Sequence, residues 1–470
     1  MAGASAGNER GTESWAATPL CSKEPSVRRR SLFATRKLQR NTVKLLHTAD
    51  IHLGAKTYGR RDPETGLNTR LLDVQRSLEA VVQRSLDAGV DAFLFCGDAY
   101  HTADPTPTQQ KIFAQCLQPL ADAGVPIVLI IGNHDHPVTY GRASSLDIFE
   151  YVDGDIHCYR KPPAAVQVID TKSGPLQLIP LPWPIRSQIL TKDAYRSLEP
   201  EELQQFIEEK YVTYIQRRAD DILEGATGVG PEGGERSLSP DVPTVLAAHV
   251  TVQGAEMAGS ERTTLIASEP KFTVGQLAVK PIDYVALGHI HRAQVQNPDG
   301  HPPVAYAGSI ERITFKERDE PKGFYLVDID PGPESSTRPT FCETPARPFR
   351  AFQVDVRESD TPTEDILRVL DEADVSDAIV RVRYRIEEAQ LATVDPARIR
   401  EALETAHTIA AIERTVDPAE RKRRTVVTRE SSLQDAVRQY VAQHEDLSSM
   451  EDDLVEAALA LAAEESDDRS

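Results

Sequence analysis

The sequence predicts an α/β protein, and three observations carry that prediction. Short apolar runs bounded by Gly or Pro alternate with helical patterns from residue 42 to about residue 330. The runs have the length and composition of buried strands. Five of them end in Asp, Asn or His. In open α/β folds, functional groups gather beyond the carboxyl ends of the strands. At roughly 150 residues per domain, the 470-residue chain suggests about three domains.

The first 41 residues lack hydrophobic periodicity and carry Arg28, Arg29, Arg30, Arg36, Lys37 and Arg40, so 1–41 reads as a disordered basic tail. Val43–Ala49 is the first strand. Leu71–Leu86 repeats apolar residues at three and four spacing, as an amphipathic helix does. Ala92–Cys96 and Val125–Ile131 are strands, with a helix at Thr108–Leu120 between them. Glu201–Leu223 is helical, Gly225–Pro240 reads as an exposed loop, and Val245–Ala248 and Tyr284–Leu287 are strands. A Pro-, Ser- and Thr-rich shift at Asp330–Pro348 marks a boundary, closing a first domain over 42–335.

A β-α-β-α-β module follows over 345–416, with strands at Phe352–Val356, Ile379–Tyr384 and Ile409–Thr415 and helices at Glu364–Ala373 and Pro396–Ala406. The basic cluster Arg421–Arg424 is either a contact for DNA or a partner, or a solvated charge run. Two helical patterns, Leu433–Ala442 and Met450–Ala463, occupy 428–464 before an acidic tail at 465–470. Their apolar stripes have little local core to cover, so a partner groove is one destination and packing against the preceding module the other.

Composition narrows the function. No apolar run approaches the roughly 18 residues of a membrane span. The five cysteines are scattered without a CxxC pair, which suits reduced thiols in the cytoplasm better than a disulfide framework or zinc ribbon. There is no secretory h-region. The net charge of −20 argues against a surface that grips nucleic acid over its whole extent.

The strand ends carry the chemistry. The first ends in Asp50 and His52, the second in Asp98, the third in Asn133, His134 and Asp135, the fourth in His249, and the fifth in His289 and His291. Carboxylate, amide oxygen and imidazole without thiolate suit a borderline-hard divalent metal: Mn²⁺ first, with Mg²⁺, Fe²⁺ or Zn²⁺ as alternatives. Asp50, His52, Asp98, Asn133, His249, His289 and His291 are too many for one tetrahedral ion. Two ions about 3.5–4 Å apart, sharing one carboxylate, would use them all. Gly97, Gly132 and Gly288 permit the tight turns this requires. His47 lies inside a strand and reads as structural. Asp135 is a candidate to orient His134 or to hold the turn.

In that order, Asp50-x-His52, Gly97-Asp98, Gly132-Asn133-His134-Asp135, His249 and Gly288-His289-x-His291 resemble the calcineurin-like metallophosphoesterases. "LLHTADIHLG", "FCGDAYHTADPTP", "DYVALGHIHRAQ" and "YAGSIERITFKERDEPKGFYLVDI" carry a closer resemblance to SbcD-type nuclease subunits of double-strand-break repair complexes. The resemblance implies a four-layer α/β/β/α sandwich with a small α+β capping domain, and C-terminal helices that bind an SbcC-like, SMC-type ATPase. It implies Asp50, His52, Asp98 and His291 as ligands of a first Mn²⁺, and Asp98, Asn133, His249 and His289 as ligands of a second. His134 would assist phosphodiester cleavage and His101 would support His134. The implied activity is a 3′–5′ exonuclease on duplex DNA ends and an endonuclease on single strands or hairpins, in a homodimer within a heterotetramer.

Arg312, in Gly308-Ser309-Ile310-Glu311-Arg312, is a candidate phosphate contact; a turn with a salt bridge is the competing reading. Two other functions compete with the nuclease. One is a phosphodiesterase or phosphatase on other substrates, since a metal core does not name its substrate. The other is a mainly structural DNA-end tether for an ATPase, against which the complete ligand set argues.

Overall fold

The computed structural model describes residues 42–137, 142–184, 199–261, 269–331, 336–417, 432–442, 447 and 450–467. The basic tail 1–41 and the Arg421–Arg424 cluster lie outside the described residues.

Strands β1 (Val43–Thr48), β2 (Ala92–Cys96), β3 (Ile127–Ile130) and β4 (Ile156–Tyr159) run parallel in one sheet. The strands β5 (Gln167–Thr171), β6 (Gly174–Leu181), β7 (Thr227–Val229), β8 (Glu235–Ser237) and β9 (Thr244–His249) begin a second sheet. A two-stranded ladder, β10 (Thr251–Val252) with β11 (Lys271–Phe272), precedes the rest of that sheet: β12 (Tyr284–Gly288), β13 (Gln294–Val295) and β14 (Val304–Tyr306). The chain then returns to the first sheet with β15 (Gly323–Asp330) and β16 (Ser336–Glu343), giving the order β16-β15-β1-β2-β3-β4. The second sheet has the order β13-β14-β12-β9-β6-β5-β7-β8.

Both faces of the central strands are apolar, which is why they read as continuous runs. In β2, Phe93 and Phe95 face helices α1 (Thr69–Ala88) and α2 (Pro107–Asp122), while Leu94 and Cys96 join the core between the sheets. In β12, Val285 and Leu287 face α3 (Pro200–Leu223), and Tyr284 and Ala286 enter the shared core. The result is the four-layer α/β/β/α sandwich. Local signals set the helix ends. Asn68 accepts from Arg70 N at 2.9 Å, and Gly89 closes α1 in the left-handed region. Thr106 and Gln109 form a capping box with Pro107 at the first turn of α2.

Two expected loops contain strands. Within Gly225–Pro240, β7 and β8 pair antiparallel as a short hairpin. Within the Asp330–Pro348 boundary, β16 pairs along its whole length with β15. Its sequence, STRPTFCE, shows no run of apolar residues because the strand lies at a sheet edge with little of it buried.

After Arg347, β17 (Phe349–Asp355), β18 (Ile379–Glu387) and β19 (Thr408–Asp417) form a parallel sheet. A four-residue helix, α4 (Val274–Leu277), lies earlier in the chain. Helices α5 (Pro362–Asp371) and α6 (Pro396–Ala402) cover one face, packing Ile366, Leu370 and Ile399 on Val380, Val382 and Ile386. This module is tied to α1 by buried charge. Arg347 donates from Nε to Asp73 Oδ2 at 2.8 Å, and Arg70 donates to the same oxygen at 2.6 Å. Helices α7 (Leu433–Val441) and α8 (Glu451–Asp467) flank an apolar groove lined by Val437, Tyr440, Leu454 and Ala458. Leu433, Tyr440, Met450 and Leu459 are exposed. Among the described residues no helix is long and apolar enough to cross a membrane.

His47 is buried in β1, with Nδ1 2.9 Å from the Tyr284 hydroxyl and Nε2 3.1 Å from the Leu287 carbonyl. Burial drives its pKa down to about 3, against the raising effect of the Leu287 carbonyl. The unfolded imidazole titrates near 6.5. Between those values the unfolded chain takes up a proton that the folded chain refuses, so stability falls as pH drops from about 6.5 toward 3, by up to about 1.4 kcal/mol per pH unit for this one group. Denaturant titrations at pH 7 and pH 5 are expected to show a shallower acid loss for His47→Gln than for the wild type. Equal losses would count against this role.

Candidate metal centre

The strand ends depart from ordinary backbone geometry where the candidate ligands sit. Asp50 has φ 52°, His52 φ 48°, Asp98 φ 62° and His289 φ 97°. Non-glycine residues rarely occupy this region, and such strain persists only where the surroundings over-determine it. Here the surroundings do. Asp50 N donates to Gly97 O at 2.9 Å and His52 N to Asp98 O at 3.0 Å, locking the two strand ends together. The Asp135 carboxylate accepts from the backbone N–H groups of Asp98 (2.8 Å), Ala99 (2.9 Å) and Gly132 (3.1 Å). Asp135 therefore holds the turn that carries Asp98. It does not orient His134.

The glycines act mainly through space. Only Gly97 among the three needs a positive φ, of 93°. A Cβ on Gly132 would lie 2.2 Å from Asp98 Oδ1, and one on Gly288 would lie 1.9 Å from the Cys96 carbonyl. Close approach of strand ends, more than turn geometry, explains those two positions.

Five of the candidate ligands, His52, Asp98, Asn133, His289 and His291, line one cleft of about 470 Å³, and Asp50 and His249 each bring a ligand atom within 4.8 Å of Asp98. His52 Nε2 lies 2.8 Å from His291 Nε2, and one ligand atom each of Asp50, His52 and His291 fall within 4.8 Å of one another. Asp98 Oδ2 sits between two groups, 3.7 Å from His52 Nε2 and 3.5 Å from His249 Nε2. Asn133 Oδ1 lies 2.9 Å from His249 Nε2 and 3.1 Å from His289 Nδ1.

The group behind each imidazole decides which nitrogen faces the cleft. His249 holds its Nδ1 on the Cys96 carbonyl at 2.7 Å, leaving Nε2 inward. His289 holds Nε2 on Glu269 at 2.9 Å, leaving Nδ1 inward. In His291, Nδ1 meets Ser260 Oγ at 2.7 Å, leaving Nε2 inward. Trp183 lies against His289 at 5.0 Å and His249 at 6.0 Å between centroids.

Electrostatics favours a cation here. Burial opposes ionisation of Asp98, but the His249 and His134 imidazoles hold it well below the usual carboxylate range. Burial opposes protonation of His249, yet Asp98 pushes it up to about 9. The buried Asp98 carboxylate thus draws positive charge onto the imidazoles around it. Carboxylate oxygens, an amide oxygen and inward imidazole nitrogens fit a hard to borderline divalent ion.

His134 stands at the rim, its backbone N–H donating to Asp98 Oδ1 at 2.9 Å. Its Nδ1 is 2.8 Å from the His101 carbonyl. The His101 ring stacks on the His134 ring at 5.9 Å, so His101 acts on it through its backbone oxygen and by ring packing. Arg312 is elsewhere. Its guanidinium donates to the carbonyls of Glu320 (2.8 Å) and Arg347 (3.3 Å), so the candidate phosphate contact is corrected to a brace between the Gly308–Lys322 segment and the 349–417 module. These donors serve backbone that would otherwise be buried unpaired.

The residues that sequence reasoning missed are the ones behind the ligands: Glu269, Ser260, Glu261, Glu317, Lys322 and Trp183. Glu261 accepts from His291 N at 2.9 Å. No spacing rule marks such residues, since each reaches its ligand from a separate part of the chain.

The sequence pattern of the calcineurin-like phosphoesterases matches residues 43–293. The chain belongs to this phosphoesterase family. It is similar to the SbcD subunit of the SbcCD nuclease of Escherichia coli (strain K12), 27% identical over 292 residues, covering 62% of this chain and 66% of that protein. The SbcD subunit of the Bacillus subtilis (strain 168) SbcCD nuclease is 28% identical over 297 residues, covering 63% of this chain and 68% of that protein. The DNA double-strand break repair protein Mre11 of Haloferax volcanii is 28% identical over 357 residues, covering 76% of this chain and 64% of that protein. The matches thus span about two thirds of the length of these phosphoesterases.

Proposed function

We propose that this chain is a Mn²⁺-dependent DNA nuclease subunit, a 3′–5′ exonuclease on duplex ends and an endonuclease on single strands or hairpins. The observation that carries this is the clustering of seven ligand-type side chains from five strand ends, five of them lining one cleft and Asp50 and His249 beside Asp98, with His134 at the rim. The nuclease names of the two SbcD relatives and the DNA-repair name of the third support DNA as the substrate. Asp50, His52, Asp98 and His291 would hold one ion, and Asp98, Asn133, His249 and His289 the other.

When bound, the ions supply charge neutralisation at the phosphate and a water acidified toward neutrality. The chain's own residues do the rest. Asp98 sits within reach of both groups of imidazoles. The Cys96 carbonyl, Glu269 and Ser260 keep the imidazole nitrogens turned inward. His134, its Nδ1–H donating to the His101 carbonyl, would give a proton from Nε2 to the departing oxygen when its ring is doubly protonated.

His134→Ala is expected to retain its metal ions and lose about 10²–10⁴-fold in hydrolysis rate. Elemental analysis and a nuclease assay measure the two effects, and loss of ions from the variant would overturn the role. The substrate is tested by offering duplex DNA, cyclic nucleotides and phosphopeptides to the Mn²⁺-loaded chain. Preference for either of the last two would sink the nuclease reading.

In this reading, residues 42–343 form the nuclease domain and 349–417 the capping domain. The groove between α7 and α8 takes an SbcC-like, SMC-type ATPase. The assembly is a homodimer within a heterotetramer, in the cytoplasm. With a net charge of −20, contact with DNA is local to the metal centre, and the ATPase supplies much of the grip. Co-purification with a large coiled-coil ATPase tests the partner.

A further inference from the structure

A 3₁₀ turn, Phe315–Glu317, lies between the metal centre and the 349–417 module, and its two ends face different sides. The Phe315 ring packs 5.0 Å from Phe349 and 5.1 Å from Tyr58, with the Arg381 guanidinium 4.2 Å over its face. Two residues later, Glu317 is wholly buried. Its Oε2 takes Lys322 Nζ at 2.9 Å and the Ile313 N–H at 3.1 Å. Its Oε1 makes no hydrogen bond among the described residues and lies 3.9 Å from His291 Nδ1. Lys322 is equally buried and donates to the His291 carbonyl at 3.2 Å.

A buried carboxylate oxygen without a donor is costly, and a buried ion pair is by itself a weak source of stability. The arrangement has a physical use beyond stability. Metal-binding imidazoles usually hold their second nitrogen on a carboxylate, which sets tautomer and ring angle. His291 has Nε2 turned to His52, and its Nδ1, the nitrogen that orients the ring, meets Ser260 Oγ at 2.7 Å with Glu317 Oε1 behind at 3.9 Å.

We propose that Glu317 is a positioning residue for His291, held in place by Lys322, and that Phe315 makes this positioning depend on the seating of the 349–417 module. The inference rests on the two-ion reading given above. Its test is a Mn²⁺ titration of the full chain without DNA, read by calorimetric stoichiometry and by electron paramagnetic resonance. The wild type is expected to bind two ions with an exchange-coupled spectrum. Glu317→Met alone leaves Lys322 charged and buried, and can fail to fold. The deciding variant is therefore Glu317→Met with Lys322→Met, which removes both charges at similar volume.

That double variant is expected to keep one ion and bind the other about 10–100-fold more weakly, with an uncoupled spectrum. Phe315→Ala is expected to weaken the same ion by a smaller factor. Two ions bound by the double variant at wild-type affinity would reduce the pair to packing and overturn the positioning role. Wild-type affinities in Phe315→Ala would overturn the link to the module. A wild type that binds fewer than two ions would instead fail the two-ion reading itself.

Discussion

Asp98→Ala is expected to lower phosphodiester hydrolysis by about 10³-fold or more, and to lower the stability of the fold with it. The carboxylate stands 3.7 Å from His52 Nε2 and 3.5 Å from His249 Nε2, so its removal affects both groups of candidate ligands at once. In the proposed assignment each other ligand serves a single ion, although Asp50 also lies close to both groups. The stability half follows from charge. Against the cost of burial, the His249 and His134 imidazoles hold Asp98 well below the usual carboxylate range, so its ionised form is favoured more in the folded chain than in the unfolded one. Asp98 Oδ1 also accepts the His134 N–H at 2.9 Å, and Asp98 is the partner that pushes the buried His249 imidazole up to about 9. Removing that carboxylate leaves the N–H and the imidazole without their acceptor, so activity and stability fall together. Metal analysis, a nuclease assay and a denaturation midpoint check the three parts. A variant that still binds two ions would rule out the shared-ligand role.

Gly288→Ala is expected to destabilise the protein by about 3 kcal/mol or more, and to distort the site. The added Cβ would lie 1.9 Å from the Cys96 carbonyl oxygen, 2.9 Å from Ala49 Cβ and 2.9 Å from His249 Nδ1. Those atoms belong to or adjoin three different strands, and the nearest is backbone. No side-chain rotation relieves the clash, so β12 must shift relative to β2. Such a shift carries His289 and His291 with it. Gly275→Ala is the control: its Cβ meets nothing within 4 Å, and a change under about 0.5 kcal/mol is expected. Equal denaturation midpoints for the two variants would contradict this account of Gly288.

The legible parts of the fold are those whose residues answer to both faces of a sheet. β1, β2, β3, β9 and β12 are mainly apolar on both faces because each lies between helices and a second sheet. β16 reads as a linker because an edge strand with one open face has no such run. The hairpin of β7 and β8 is hidden for the same reason, with β8 wholly exposed.

The site divides along similar lines. Residue type and position at a strand end are local properties, so Asp50, His52, Asp98, Asn133, His249, His289 and His291 are visible in the sequence. Arg312 is not, since a guanidinium after a strand looks alike whether it meets phosphate or two carbonyls. Asp135 is similar: nothing beside His134 in sequence tells a carboxylate that orients a ring from one that collects backbone N–H groups of residues 98–100.

What the sequence determined by itself was the α/β class, the five ligand-bearing strand ends and a donor set suited to hard divalent ions. Strand length, apolar content and side-chain chemistry are written in consecutive residues. Only the tertiary structure decided which nitrogen of each imidazole faces the cleft, which carboxylate stands behind it, and how closely the strand ends approach. His52 and His291 meet at 2.8 Å across 239 residues of chain, and a contact of that separation is fixed by how two sheets pack face to face.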